Sequence, residues 1–170
     1  VGIHNVMSCG SVWACPVCSA RIASQRRDEL EQAIEANGHR VFMVTYTLQH
    51  DRASEPKQLV EDLTKAIGAV SAGKSYQAFS AKYGIIGKVT VLEMTYGDKA
   101  GFHPHYHIAY FYDRKLEDAE YAEIERYLSE RYRAALQRLG RYGMDDVAVV
   151  LTRDNRAIGY YVAKCGMDAE

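Results

Sequence analysis

The stretch IIGKVTVLEMTYGDKAGFHPHYHIAYFY, residues 85–112, decides the fold. It contains two runs rich in β-branched and aromatic residues, 85–96 and 105–112, on either side of the glycine-bounded segment Gly97–Gly101. Two such runs joined by a turn segment predict a pair of adjacent strands. Three histidines fall within residues 103–107, where the second strand begins. The same hairpin is therefore predicted to carry a polar site.

A strand and a helix flank the hairpin on each side. Residues 41–48 are β-branched and aromatic, and Ser54-Glu55-Pro56 is a helix start with Ser54 as N-cap. The remaining predicted elements are a helix from Pro56 to the break at Ala72-Gly73, a short helix at 74–82, an amphipathic helix at 117–139, a strand at 147–151 and a last helix at 156–164.

This order gives two β-α-β halves joined by the central hairpin. It predicts an α+β fold with a ferredoxin-like, or RRM-like, antiparallel sheet and helices packed on one face. The other face of the sheet is predicted to be free for a site.

Composition narrows the class of protein. The 170 residues include 21 Lys and Arg against 22 Asp and Glu, a formal net charge of −1, which excludes a polycation of the histone type. Hydrophobic residues make up 48% and charged residues 25%, as in ordinary globular domains. No apolar run reaches the roughly 18 residues of a membrane span, so no membrane partner is predicted.

Residues 1–40 are predicted to form a separate module. A helix over 20–36 carries a narrow apolar stripe at Ile22, Leu30 and Ile34 and closes at Asn37-Gly38. Forty residues cannot bury a core of their own, so this module must bind a metal or dock on residues 41–170.

The cysteines indicate which metal. Three of four fall within ten residues, which is typical of metal binding in a reducing cytoplasm and not of a disulfide scaffold. The predicted structural Zn²⁺ ligands are His4, Cys9, Cys15 and Cys18. His39 or a residue before Val1 is an alternative to His4 as the fourth ligand.

The histidine strand predicts a second, catalytic metal site. His105 and His107 alternate along the strand, so they share a face and lie about 6.6 Å apart along the backbone. Glu93 is on the strand that folds back beside them. Two imidazoles and a carboxylate with open positions suit a catalytic divalent ion. The alternative is a polar strand of surface histidines.

These segments together resemble the HUH endonucleases. The strand FMVTYTLQH at 42–50, FHPHYHIAYF at 102–111 and YVAK at 161–164 come in that family's order, and CPVC at 15–18 precedes them. The whole resembles a rolling-circle replication initiator (Rep) protein of bacterial plasmids. Residues 41–170 would then be the HUH endonuclease domain.

The resemblance implies a reaction and its residues. Glu93, His105 and His107 would hold Mg²⁺ or Mn²⁺, and Tyr161 would attack the scissile phosphate to give a 5′-phosphotyrosine and a free 3′-hydroxyl. Lys164, on the same helical face as Tyr161, would contact the phosphate or steady the phenolate. The implied partners are single-stranded or hairpin origin DNA and a host helicase.

Two positions depart from the family pattern. Some relatives carry a glutamate one turn before the tyrosine, where this chain has Ala157; either hydrolytic termination is lacking or Asp154 serves in it from the loop. Tyr160 competes with Tyr161 as nucleophile, and the register of Lys164 favours Tyr161.

Further residues are candidates for DNA contact. Tyr46 is a candidate for stacking on unpaired bases. The candidates for phosphate contact are Arg21, Arg26, Arg27, Arg126, Arg131, Arg133, Arg138 and Arg141. The alternative is that these arginines, interleaved with glutamates, form a solvated surface.

Two rival functions use the same residues differently. A non-haem iron oxygenase also uses two histidines and a carboxylate, but it predicts a β-sandwich of many strands. A non-enzymatic zinc-containing nucleic-acid binder predicts DNA binding without a divalent ion and without a covalent adduct.

Overall fold

The computed structural model describes residues 9–11, 14–142, 148–153 and 158. The helices and strands follow one another in the predicted order over this part of the chain. The elements are α1 (Pro16–Ala36), β1 (Val41–Tyr46), α2 (Pro56–Val70), α3 (Gly73–Tyr83), β2 (Ile85–Gly97), β3 (Gly101–Tyr112), α4 (Asp118–Arg138) and β4 (Val149–Thr152).

The four described strands form one sheet in the order β2-β3-β1-β4. Every neighbouring pair is antiparallel, which is the arrangement of a ferredoxin-like sheet. The predicted α+β fold class is therefore confirmed. A β-sandwich of many strands, which the oxygenase alternative requires, is absent from the described residues.

The core of the sheet lies on the face toward α2 and α4. We call this the helix face, defined by Phe42, Val44, Tyr46, Ile108 and Tyr110, all fully buried. Leu59 and Leu63 of α2 and Ile124 and Leu128 of α4, each at helical spacing, pack against it. Tyr46, expected as a surface for stacking bases, has 0% of its surface exposed, so that expectation is wrong.

The sequence predicted that the opposite face of the sheet is free, but part of it is covered. Leu30 and Ile34 of α1 join Val41, Met43 and Ala109 of the sheet in a second buried cluster. The stripe on α1 was predicted, and docking on residues 41–170 was one of two predicted alternatives, but the sheet face that receives α1 was not predicted. We call this side the site face; beside the cluster under α1 it carries the polar residues described below.

Element bounds differ from the predictions at informative places. β3 begins at Gly101 and not at residue 105, because His103 and Pro104 already pair with Thr95 and Met94 of β2. Pro104 is tolerated there because β1 ends opposite Tyr106, so β3 has a partner on one side only.

The first helix begins earlier than predicted, and most of the last predicted helix lies outside the described residues. α1 begins at Pro16, where proline suits a first helical turn, and not at residue 20. Of the predicted last helix at 156–164, Ile158 is described and is fully buried; the rest lies outside the described residues. The division of the chain at residue 40 stays a prediction.

Candidate functional site

A row of histidines runs along the site face of β3. His103, His105 and His107 alternate with residues that face the helices, so their rings follow one another on one side of the strand. The ring centres of His103 and His105 are 4.1 Å apart, and those of His105 and His107 are 6.0 Å apart with nearly parallel planes.

Glu93 and His107 are in direct contact at one end of this row. The antiparallel register sets Glu93 opposite His105, and the Glu93 Oε2 lies 2.9 Å from His107 Nε2. The other ring nitrogen of His107, Nδ1, lies 2.9 Å from the Thr45 hydroxyl. His107 is only 3% exposed. Its imidazole is therefore held at both nitrogens between β1 and β2.

His105 is adapted to remain neutral. Burial, followed by the neighbouring His103, lowers the pKa of His105 to about 4. A neutral imidazole keeps a lone pair that can bind a cation at neutral pH. Glu93, His105 and His107 thus share one face, but the donor atoms of all three do not come within 4.8 Å of one another. Their assignment as a set of metal ligands stays a prediction.

His50 extends the row at its other end, a position that was not predicted from the sequence. Its ring centre is 4.4 Å from that of His103, and His50 Nε2 contacts His103 Nδ1 directly. His50 follows β1 by four positions, in a loop whose path cannot be read from periodicity. The one signal in the sequence was its place at the end of the segment FMVTYTLQH.

A thiolate cluster lies at the N-terminal end of α1. Within the described part of the chain, Cys9, Cys15 and Cys18 are the one group of potential ligands whose donor atoms all lie within 4.8 Å of one another. The sulfurs of Cys9 and Cys18 are 3.6 Å apart. A tetrahedral zinc site with Zn–S bonds of about 2.3 Å separates its sulfurs by about 3.8 Å. These cysteines could therefore hold a metal ion such as zinc.

The start of α1 explains the character of this cluster. Cys15 is the N-cap residue, and the backbone N–H of Cys18, followed by the Cys18 and Cys9 side chains, lowers the pKa of the Cys15 thiol. His39 cannot be the fourth ligand, because it follows the other end of a helix about 30 Å long. His4 lies outside the described residues.

The predicted nucleophile and its neighbours also lie outside the described residues. These are Tyr161, Tyr160, Lys164, Asp154 and Ala157.

Two of the candidate arginines have structural partners instead of an open surface. Arg131 donates hydrogen bonds to the carbonyl groups of Ala69, Val70 and Ala72 at the end of α2. Arg141 forms an ion pair of 2.9 Å with the buried Asp62. The remaining candidates are exposed: Arg21, Arg26, Arg27, Arg126, Arg133 and Arg138.

None of the described helices combines the length and the apolar character that crossing a membrane requires.

Comparison with known proteins gives two distant similarities. The chain is 23% identical to "Protein rep" of Streptomyces lividans over 95% of its own length and 47% of that protein. It is 28% identical to "Neomycin resistance protein" of Streptomyces cyanogenus over 61% of its own length and 30% of that protein. The chain therefore spans less than half of each relative. No family model matches it, and no solved structure matches it.

Proposed function

We propose that this chain initiates plasmid replication by nicking and rejoining single-stranded DNA through a tyrosine nucleophile. The observation that carries this proposal is the contact between Glu93 and His107, beside His105, on the site face. The similarity to "Protein rep" over 95% of the chain supports the same function.

The proposed ligands of the catalytic ion are Glu93, His105 and His107. Their chemistry fits Mn²⁺, which accepts both imidazole and carboxylate ligands, better than Mg²⁺, which prefers oxygen. When bound, such an ion would polarise a phosphate oxygen and offset the charge that develops on it. The Thr45 hydroxyl, 2.9 Å from His107 Nδ1, orients the imidazole toward that position.

The proposed chemical step uses Tyr161. Its phenol oxygen attacks the phosphorus and loses its proton, the P–O3′ bond breaks, and the departing 3′-oxygen takes up a proton. A free tyrosine has a pKa near 10, so only about a thousandth of it is phenolate at neutral pH. Lys164, one turn away on the same predicted helix, would stabilise the phenolate or the phosphate. The covalent 5′-phosphotyrosine conserves the energy of the broken phosphodiester bond, so the strands can later be rejoined.

The N-terminal cysteines have a separate, structural role in this proposal. Cys9, Cys15 and Cys18, with His4 as fourth ligand, would bind Zn²⁺ in a closed site. The proposed partners are single-stranded or hairpin origin DNA and a host helicase, and the proposed location is the cytoplasm.

The test is covalent capture of DNA. Single-stranded oligonucleotides labelled at the 3′ end are incubated with the protein and Mn²⁺ and then separated under denaturing conditions. Because a 5′-phosphotyrosine retains the downstream fragment, the label should migrate with the protein. The label should disappear from the protein in Tyr161→Phe and persist in the matched control Tyr160→Phe.

Each other outcome has a definite meaning. Loss in Tyr160→Phe alone would transfer the nucleophile to Tyr160. The absence of an adduct from any origin-derived oligonucleotide would overturn the enzymatic proposal. DNA binding that persists in excess EDTA without an adduct would favour the zinc-containing binder, the second candidate, which the compact thiolate cluster also supports.

A further inference from the structure

β2 (Ile85–Gly97) is a long strand at the edge of the sheet. The described strands follow the order β2-β3-β1-β4, so β3 pairs with one side of β2 and none of these strands pairs with the other side. None of the 13 residues of β2 is buried, and Val89 is 38% exposed. The outer N–H and C=O groups of such a strand are a ready template for a further strand.

The features that normally keep edge strands apart are nearly absent from β2. Such strands are typically short, or they carry proline, a bulge or free charges. β2 contains no proline, and its shift in register lies at its very start. Its two charged side chains are engaged within the same copy. Lys88 donates to the Ser71 hydroxyl at 2.7 Å. The Glu93 carboxylate lies 2.9 Å from His107 Nε2.

An apolar groove accompanies this edge on the site face. It has a volume of about 400 Å³ and lies between the middle of β2 and α1. Its apolar lining comes from Val89 and Val91 of β2 and from Leu30 and Ala33 of α1. A strand added to β2 would close this groove, because alternate side chains of that strand would face α1.

The sequence of β2 is complementary to itself. In an antiparallel pair related by a two-fold axis, every contact occurs twice. An axis through Thr90 sets Val89 of each copy opposite Val91 of the other and sets Thr90 opposite Thr90. Cross-strand pairs of β-branched residues stabilise a sheet. The same register sets Glu93 opposite Gly87, so no like charges of β2 meet.

The rim of the groove is complementary as well. Arg26 and Glu29 lie one turn apart on α1, and both line the groove. Because the two-fold axis reverses the direction of α1, Arg26 of one copy lies toward Glu29 of the other. A second copy of the chain therefore matches this surface in apolar character and in charge.

We propose that two copies of this chain associate through β2, antiparallel about a two-fold axis at Thr90, so that their two sheets become continuous. An axis perpendicular to the sheet keeps both site faces on the same side. Glu93 of each copy then lies three residues, or about 10 Å, from the axis along the strand. The dimer presents its two histidine rows side by side. The proposal concerns association only, so it stands or falls independently of the nicking activity.

Charges placed at the axis test this register. Thr90→Asp and Thr90→Lys each set like charges directly opposite each other, so the association of the full chain should weaken at least about 10-fold in analytical ultracentrifugation. An equal mixture of the two variants should associate again, because aspartate then lies opposite lysine. Thr90 is exposed, and recovery in the mixture can come only from folded chains.

Val150→Asp is the matched control, because Val150 is 40% exposed on β4, the other edge strand of the described sheet. This variant should dimerise like the wild type. Loss of the dimer in Val150→Asp alone would move the contact to β4 and overturn the proposal. Folded Thr90 variants that dimerise like the wild type, or that fail to associate when mixed, would overturn it too.

Hydrogen exchange gives a second readout on the wild type. Every other amide in residues 87–93 faces the outer edge of β2 and should gain protection as the protein concentration rises, because it then donates to the second copy. Protection that does not change with concentration would contradict the proposal. A wild type that sediments as a monomer at every concentration would leave this edge to a different protein chain and would also contradict it.

Discussion

At the scale of single residues, the site is organised by pairs that span neighbouring strands. The Thr45 hydroxyl on β1 and the Glu93 carboxylate on β2 hold the two nitrogens of His107 from opposite sides. Since each nitrogen has one partner, the orientation of this ring is fixed before any cation arrives. Such preorganisation lowers the cost of forming a metal site.

Thr45 is therefore expected to act as a positioning residue for metal use. In Thr45→Val, the Mn²⁺ concentration needed for half-maximal formation of the DNA adduct should rise by roughly 10- to 100-fold, because His107 loses its outer hydrogen bond. Thr45→Ser keeps the hydroxyl and should restore the wild-type dependence. The rate of adduct formation measured across a Mn²⁺ series checks this, and an unchanged midpoint in Thr45→Val would exclude the positioning role.

Much of this site could be predicted from the alternation of residues along β2 and β3. His105, His107 and Glu93 share a face because side chains alternate, and the short turn sets the two strands in register. Because Tyr46 is one position from Thr45, alternation also places Tyr46 on the helix face. The burial of Tyr46 could therefore have been predicted from the sequence. His50 was not predictable in this way, because its position depends on a long-range approach between a loop and Gly101.

At the scale of single elements, α1 joins two different environments. One end carries the thiolate cluster, and the other end packs Leu30 and Ile34 against the sheet. The sequence showed both features, but not that the apolar stripe and the strands belong to one cluster. Docking depends on complementary shapes of distant segments, which hydrophobic periodicity does not encode.

The docking of α1 makes a measurable contribution to the free energy of unfolding. Ile34→Ala should lower the free energy of unfolding by about 2–5 kcal/mol, because it removes a buried side chain and leaves a cavity between α1 and the sheet. Ile86→Ala is the matched control, since Ile86 is 59% exposed and its loss should cost less than about 1 kcal/mol. Urea denaturation of both variants checks this, and equal costs would contradict the packing of Ile34.

The start of α4 contributes to the free energy of unfolding in a pH-dependent way. Glu120 accepts hydrogen bonds from Arg114 and from the Glu117 backbone N–H at 3.0 Å, and Arg114, the larger cause, lowers the pKa of Glu120 to about 2. The folded state therefore binds this proton more weakly than the unfolded state. The stabilisation is complete above the ordinary pKa of 4.5 and is lost as the pH falls toward 2.

Glu120→Gln should remove this contribution. The difference in free energy of unfolding between the wild type and Glu120→Gln should be constant above pH 4.5 and shrink on acidification toward pH 2. Arg114→Gln should abolish most of the same pH dependence, because it removes its main cause. Denaturant unfolding at several pH values measures both, and a difference that does not vary with pH would refute the assignment.

At the scale of the whole molecule, the two faces of the sheet have different roles. The helix face holds the large core with α2 and α4, whereas the site face holds a smaller cluster under α1 and the polar row beside it. The strand order and fold class followed from the sequence, because each element has a clear period. The partial covering of the site face did not follow from the sequence, since it depends on where segments distant in the chain dock on the sheet.

This division predicts how the molecule responds when the thiolate cluster is broken. The core on the helix face includes no residue of α1, so it should survive loss of the cluster. The first half of α1 carries the cluster beside the buried Ser19 and Ala23, whereas Leu30 and Ile34 hold the second half. In Cys15→Ser/Cys18→Ser, amides in residues 16–25 should lose protection from hydrogen exchange while those of β1 and β3 keep it.

Native-state exchange followed by mass spectrometry resolves the two regions. Unchanged protection at 16–25 would show that the cluster anchors nothing, and loss of protection in β1 and β3 would show that the two faces unfold as one unit.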